Sequence, residues 1–464
     1  MIEKTLSWVE EAFENLGQLE RAALAGRDGD SWAGAAIDSR ADCTRRLFFA
    51  LTGEKSDGHK FVPDAVSRGC CAVVISSADQ RADLEAAGTP YFLVRDTLEA
   101  LQQLARAYRD TLDIRVVSVT GSMGKTTTKE YIRAILKKKY RVHSNPGNFN
   151  NHIGVPLTLL DTDHDNEYLI CEVAANHMGE IEFLSRLLRP DVGVITNIGD
   201  AHIGYFGSRD NIAKAKSELF TGVDPEGYAV LPADDTYVDF LRESAGCRVV
   251  TFGRTEESTY RIGSLTESSD SLAFEVNGEP LRINSLGRYN VLNASAAYAV
   301  GEICGVEFER IRDALFETEP IPGRSKIYRG RGVVLIDDSY NANPTSMRAA
   351  LEILSRISLG RRIAVLGDMA ELGKYSDDEH FKLGAHLARV NVDLVYWLGE
   401  NGRIVEKGLA GKKTFKSFAV LDELVSELET EAKTDDVILV KASRACHLDR
   451  VVERLLVSVL KEEN

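Results

Sequence analysis

The sequence predicts an α/β protein of three domains: an N-terminal domain of short strands and helices, a central parallel-sheet domain built around a phosphate loop, and a Rossmann-like C-terminal domain. Three observations predict it. The length of 464 residues exceeds what one ordinary core serves. Apolar strand-like runs alternate with amphipathic helical stretches, once through the middle of the chain and again after Ile321. The run VVSVTGSMGKTTTKEYIRAIL, from Val116, has the strand–turn–helix form of a loop that holds phosphate.

The boundaries expected from these patterns are 1–112, 113–320 and 321–464. The first span holds short strands and helices and ends in the helical LEALQQLARAYRDTL. The second opens at the phosphate loop and continues through EYLICEVA, IEFLSRLL and PDVGVITNIG. It then turns to the polar, antiparallel-looking RIGSLTESSDSLAFEVNGEPLRINSL and a helix around Asn293 to Cys304. The third begins where IPGRSKI breaks the pattern, then repeats the rhythm in GVVLIDDSY, MRAALEILSRI, RRIAVLGDM, LVYWLGE and DDVILVKAS. Two successive parallel sheets would present the loops at their strand C-terminal ends to a shared cleft.

Composition excludes several classes. With 44% hydrophobic and 27% charged residues the chain reads as a soluble globular protein. A formal net charge of −15 argues against nucleic acid or an anionic membrane as the main partner. Seven scattered cysteines without a C-x-x-C pair read as reduced thiols of a cytoplasmic protein, not as a zinc site or disulfide framework. The amphipathic start MIEKTLSWVEEAFENLG lacks the apolar stretch of a signal peptide, and no segment reaches the length of a membrane span.

In the phosphate loop, backbone N–H groups from Gly121 through Ser122 and Met123 to Gly124 would converge on phosphate oxygens. Lys125 would bring a point charge to the outer phosphates, and Thr126 a hydroxyl for magnesium. Val119 stands where the longer form of the motif has its first glycine, so the loop is the shorter T-G-S-M-G-K-T-T. Other polar residues follow apolar strands, where α/β proteins place their sites. Glu172 reads as a magnesium ligand or base, or as an acid capping a neighbouring helix. Asn197, Asp200 and His202 cluster after GVITNIG. Lys216 by itself reads as a solvent-facing helix lysine. IDDSYNANPTS is either a plain turn or a set of hydrogen-bonding groups, and Lys441 and Arg444 in KASRACH suit carboxylates or phosphates.

Taken in chain order, AIDSRADCTRRLFFALTGEKSDGHKF, TGSMGKTTTKE, NPGNFNNHIGVPLTLL, EVAANHMGEI, TNIGDAHIGYFGS, AKAKSELF, IDDSYNANPTSM, VLGDMAELG and VKASR resemble the Mur ligase family along nearly the whole chain. The resemblance implies an ATP-dependent ligase that joins D-alanyl-D-alanine to a UDP-muramoyl-tripeptide through an acyl-phosphate. The alternatives are a family member with a different amine substrate or a P-loop regulatory ATPase. The IDDSYNANP segment, in place of a D-N-P-R signature, favours the dipeptide. By resemblance, Asp38, Ser39 and Arg40 hold the UDP-sugar, with Asp57-Gly58-His59 as a second signature of that domain. ATP would meet Gly121 to Thr127 (the last being Thr127 itself), Asn290, Arg324 and Asp338. Substrate contacts would come from Asn151, Asn341, Asn343, Ser443 and Arg444. Two magnesium ions would use Thr126, Glu172, His202 and a carbamoylated Lys216, which reverses the solvent-facing reading of that lysine. The chain departs from the family pattern at Tyr289, where a histidine is usual and where tyrosine can stack on adenine, at Ala442 in place of glycine, and at Leu448-Asp449 in place of methionine–glutamate. A monomer is expected.

Overall fold

The structure, a computed structural model, describes residues 5–53, 56–357 and 359–460. The described residues form three sheets of five, nine and six strands. Near the start, the amphipathic segment becomes the helix Leu6–Asn15, capped by Thr5, whose hydroxyl accepts from the backbone N–H of Trp8. Residues 1–4 of that segment lie outside the described residues.

The first sheet orders its strands Leu19–Ala23, Tyr91–Val94, Ala72–Ile75, Leu47–Phe49 and Ala35–Ala36, antiparallel only at the first edge. Its apolar run Ala72–Ile75 is buried along its whole length, as a strand covered on both faces must be. The helix Thr97–Arg109 turns Leu101, Leu104 and Ala105 into the core that it shares with the central unit.

The central sheet begins at one edge with Val142–Ser144, then Tyr168–Glu172, Arg115–Thr120, Val192–Ile195, Tyr228–Pro232, Arg248–Gly253 and Tyr260–Glu267, all parallel. Leu272–Val276 and Glu279–Ile283 then extend it as antiparallel strands. The expected antiparallel stretch therefore continues the central sheet. Arg115–Thr120 lies between two strands that follow it in sequence, so successive connections leave it in opposite directions. That is the topological position at which α/β sheets open a crevice beyond their strand C-termini.

The third sheet runs Lys326–Gly330, Val333–Asp337, Val437–Lys441, Arg362–Gly367, Leu394–Leu398 and Thr414–Phe418, antiparallel only at the first pair. Helix Pro344–Arg356 starts with proline in its first turn and a reciprocal cap between Asn343 and Ser346. The helix expected near Asn293 starts a turn earlier, at Tyr289.

Candidate active site

A cleft of about 420 Å³ lies where the strand ends of the second and third sheets face each other. Its floor is the phosphate loop. Val119 belongs to the strand, paired with Glu172 and Val194 of its neighbours, and the turn proper begins at Gly121. Gly121 has φ 146° and Gly124 φ 81°, both in the region that favours glycine. A Cβ on Gly121 would overlap Thr196 Oγ1, and one on Gly124 would overlap Asn293 Oδ1. The short loop is thus closed by its neighbours, and the missing first glycine has no turn to serve. Helix Lys125–Lys137 leaves from Gly124 and presents its N-terminal N–H groups to the cleft.

Lys125 donates to the Gly121 carbonyl at 2.9 Å, and its burial lowers the pKa of its ammonium. Thr126 Oγ1 donates to Glu172 Oε2 at 2.7 Å, and Asn150 Nδ2 to Glu172 Oε1 at 2.8 Å. Glu172 ends its strand 3% exposed, and buried Asn145 grips that residue's backbone at both N–H and carbonyl. This carboxylate caps no helix; it faces the phosphate loop. From the third unit, Arg324 reaches to within 3.4 Å of Thr126 Oγ1 and stacks over the Tyr340 ring, 4.0 Å from its centroid.

Lys216 is fully buried, contrary to the solvent-facing reading of an isolated helix lysine. Its helix, Arg209–Ser217, turns it inward, and its Nζ has no hydrogen-bond partner among the described residues. Burial, with the nearby Lys125 charge, lowers its pKa to about 7. An unpartnered buried amine is costly unless something further engages it.

Of the loop after Val192–Ile195, only part faces the cleft. Asn197 braces the phosphate loop, accepting from Met123 N and donating to Met123 O. Asp200 is clasped by Arg209 at 2.5 and 2.7 Å and accepts from Thr345 of the third unit at 3.0 Å. Burial works against that carboxylate's charge, yet these partners keep its pKa below the usual range. His202 lines the cleft, with Nδ1 2.6 Å from Glu371 Oε2.

The other residues singled out in the sequence divide. Ser122, Met123, Thr127, Asn151, Asn290, Arg324, Asp338, Asn341 and Asn343 line the cleft, but several have their polar atoms engaged. Asn151 Oδ1 accepts from the backbone N–H groups of Ile153 and Gly154 where the helix Gly154–Leu160 begins, and Asn343 Oδ1 caps Pro344–Arg356. Asn290 donates both amide hydrogens internally, to Ser285 Oγ and Leu286 O. Asp338 accepts from Ser325 and pairs with Lys441 at 2.7 Å, so Lys441 is neutralised within the fold. Tyr289 bonds Ser325 Oγ through its hydroxyl while also lining the cleft. Ser443 lies behind the lining, accepting from Ala370 N at 2.7 Å, and Arg444 pairs outward with Asp449. Asp38, Ser39 and Arg40 are outside the cleft altogether, in a turn after the strand Ala35–Ala36. Glu371, Asn150 and Tyr340 were missed by motif reading. Their signal was position: Glu371 and Tyr340 follow strand ends, and Asn150 lies in an asparagine-rich turn before a helix.

The donor set suits magnesium arriving with a nucleotide. Among the described residues no group of three or more His, Cys, Asp or Glu forms a ready cage. A hydroxyl and one carboxylate beside a phosphate loop are what this hard cation takes, its remaining ligands being phosphates and waters.

Fold and cleft together define a phosphate-loop α/β enzyme whose site is completed by a second parallel-sheet unit. The comparisons with known proteins specify the class. Residues 33–109 match the family described as Mur ligase family, catalytic domain; 119–301 match Mur ligase middle domain; 323–444 match Mur ligase, glutamate ligase domain. The chain belongs to the Mur ligase family. It is similar to the UDP-N-acetylmuramoyl-tripeptide–D-alanyl-D-alanine ligase of Bacillus subtilis, 35% identical, with 97% of this chain and 100% of that one covered. The ligase of the same name from Synechocystis is 37% identical over 90% of this chain and 91% of its own. Among solved structures, MurF from Acinetobacter baumannii superposes with a TM-score of 0.86 at 31% identity, covering 98% of this chain and 99% of that one. MurF from Thermotoga maritima in complex with ADP gives 0.78 at 30% identity, covering 91% and 96%.

Proposed function

We propose that this protein is an ATP-dependent ligase of peptidoglycan precursor synthesis that forms an amide bond between UDP-N-acetylmuramoyl-tripeptide and D-alanyl-D-alanine. The observation that carries the reading is the convergence of Lys125, Thr126, Glu172 and Arg324 in one cleft, in a chain that aligns end to end with ligases of that name.

A carboxylate is a poor electrophile, because its charge is delocalised and its leaving group would be oxide. The tripeptide's terminal carboxylate oxygen therefore attacks the γ-phosphorus of ATP, and ADP leaves. The neutral amine of the dipeptide then attacks the acyl-phosphate carbon, and inorganic phosphate leaves with that same oxygen. Loop N–H groups and Lys125 hold the outer phosphates and offset charge as it moves. Arg324, held by its stack on Tyr340, adds a second cation from the third unit. Magnesium, held by Thr126, Glu172 and His202, would neutralise phosphate charge.

Lys216 suits a second role. Its pKa near 7 leaves much of the amine neutral, and a neutral amine attacks CO₂, forming an N–C bond and losing a proton to give a carbamate. That change replaces a buried unpartnered amine by an anion able to support a second magnesium. We assign residues 1–112 to the UDP moiety, with Asp38, Ser39 and Arg40 on it, 113–320 to ATP and the reacting carboxylate, and 321–464 to the dipeptide. The monomeric state and a cytoplasmic location belong to the same proposal. No helix among the described residues is long and apolar enough to cross a membrane.

The test is an assay of purified protein with ATP, UDP-muramoyl-tripeptide and a panel of amines. D-alanyl-D-alanine should be preferred. Preference for a single L-amino acid would overturn the substrate assignment.

A further inference from the structure

Among the described residues, the third unit meets the phosphate-loop unit backbone to backbone at Gly204 and Glu371. Gly204, in the short helix Ile203–Phe206, donates its N–H to the Glu371 carbonyl at 2.9 Å. A Cβ on Gly204 would stand 2.5 Å from that oxygen and 2.7 Å from Gly373 N, so only glycine permits the approach. The Tyr375 hydroxyl ties the same segment to the Gly207 carbonyl at 2.6 Å.

The side chains at this junction face the reacting centre. His202 caps the helix that carries Gly204, and its Nδ1 lies 2.6 Å from Glu371 Oε2, the carboxylate standing off the ring N–H axis. The His202 side chain is 18% exposed and that of Glu371 35%, and both residues line the cleft with Lys125. Both also hold left-handed backbone, φ 61° at His202 and 63° at Glu371. That conformation costs a non-glycine residue about 1 kcal/mol or more and persists where the surroundings impose it. Glycine would be the cheaper choice at 371, so the conformation gives no reason for a glutamate there; the carboxylate does.

We propose that Glu371 is a positioning residue for the ligase reaction. From the third unit it orients the His202 ring, keeping Nδ1 protonated toward its carboxylate and leaving Nε2 free toward the cleft. Docking of the third unit at Gly204 is what brings it there. The inference rests on the reading of His202 as a group of the ligase site. A ring nitrogen held by a carboxylate from behind is a general means of fixing imidazole tautomer and direction. The site would then be complete only when the two units are docked.

The test uses full-length protein labelled with ¹⁵N-histidine, the His202 signals being assigned by loss in His202→Gln. In the wild type the ring shifts should report a single Nδ1–H tautomer. In Glu371→Gln they should move toward a tautomer mixture, with kcat lowered about ten-fold or more and KM for the UDP-substrate within two-fold. Should that variant fail to fold, Gly204→Ala, which separates the segments without altering either side chain, should give the same movement. His202 ring signals unchanged from wild type would overturn the proposal. Ligase activity in His202→Gln tests the underlying reading separately. If that variant stays active, His202 is no part of the site, while the ring signals still report whether Glu371 orients it.

Discussion

The cleft between the second and third sheets and the Asp38–Arg40 turn after the first hold their charges in opposite ways. In the cleft three carboxylates are placed by other elements: Glu172 by Thr126, Asn150 and Asn145, Asp338 by Lys441 and Ser325, Asp200 by Arg209 and Thr345. In the turn, Asp38 and Arg40 satisfy each other. Asp38 accepts from Arg40 at N, Nε and Nη2, which holds its carboxyl down at about 2, and the Arg40 side chain is 86% exposed. Groups fixed by several elements are ready before substrate arrives, as charge stabilisation requires. Groups fixed only by each other can reorganise around a ligand at little cost. The contrast suits chemistry at one place and recognition at the other.

Substitutions should expose that difference in graded fashion. Lys125→Ala should have the largest effect, lowering kcat by about 10³-fold or more in steady-state assays with all substrates saturating. Lys216 comes next: Lys216→Ala should lower kcat by about 10²-fold, with partial rescue by a short carboxylic acid. Full activity in the variant would refute the carbamate. The same lysine marks stability. Its folded pKa of about 7 lies below the ordinary lysine value of 10.5, so between these limits the unfolded chain binds more protons. Stability in CO₂-free buffer should therefore rise with pH across that window, by up to ~1.4 kcal/mol per pH unit from this group. Denaturant titrations of Lys216→Met should lack the slope.

Asn150→Ala removes one of two hydrogen bonds on the Glu172 carboxylate and should lower kcat about ten-fold, near 1–2 kcal/mol. Arg40→Ala should be mildest. Stability should be essentially unchanged, because the pair is exposed. KM for the UDP-substrate should rise several-fold with kcat unchanged. A fall in kcat instead would erase the distinction between the two regions.

How much the sequence reveals follows the same division. The phosphate loop and the strands around it are legible because burial on both faces demands continuous apolar runs, and tight turns demand glycine at Gly121 and Gly124. The strand Lys326–Gly330 is not, since an edge strand half open to solvent needs no such run. The asparagines show the limit most clearly. Asn151 and Asn343 stand in the motifs, but one residue type serves both backbone and ligands, and their side-chain oxygens accept from N–H groups at helix starts. Lys216 and Glu371 fail for another reason. Burial of the first and the partner of the second depend on how distant segments dock, which no local pattern encodes.

The central claim is that the cleft activates a carboxylate by phosphorylation. The most direct test places ¹⁸O in the terminal carboxylate of the tripeptide substrate and follows the label by mass spectrometry as ligation proceeds. One ¹⁸O should appear in the inorganic phosphate for each amide bond formed. Phosphate released free of ¹⁸O while product accumulates would contradict the account.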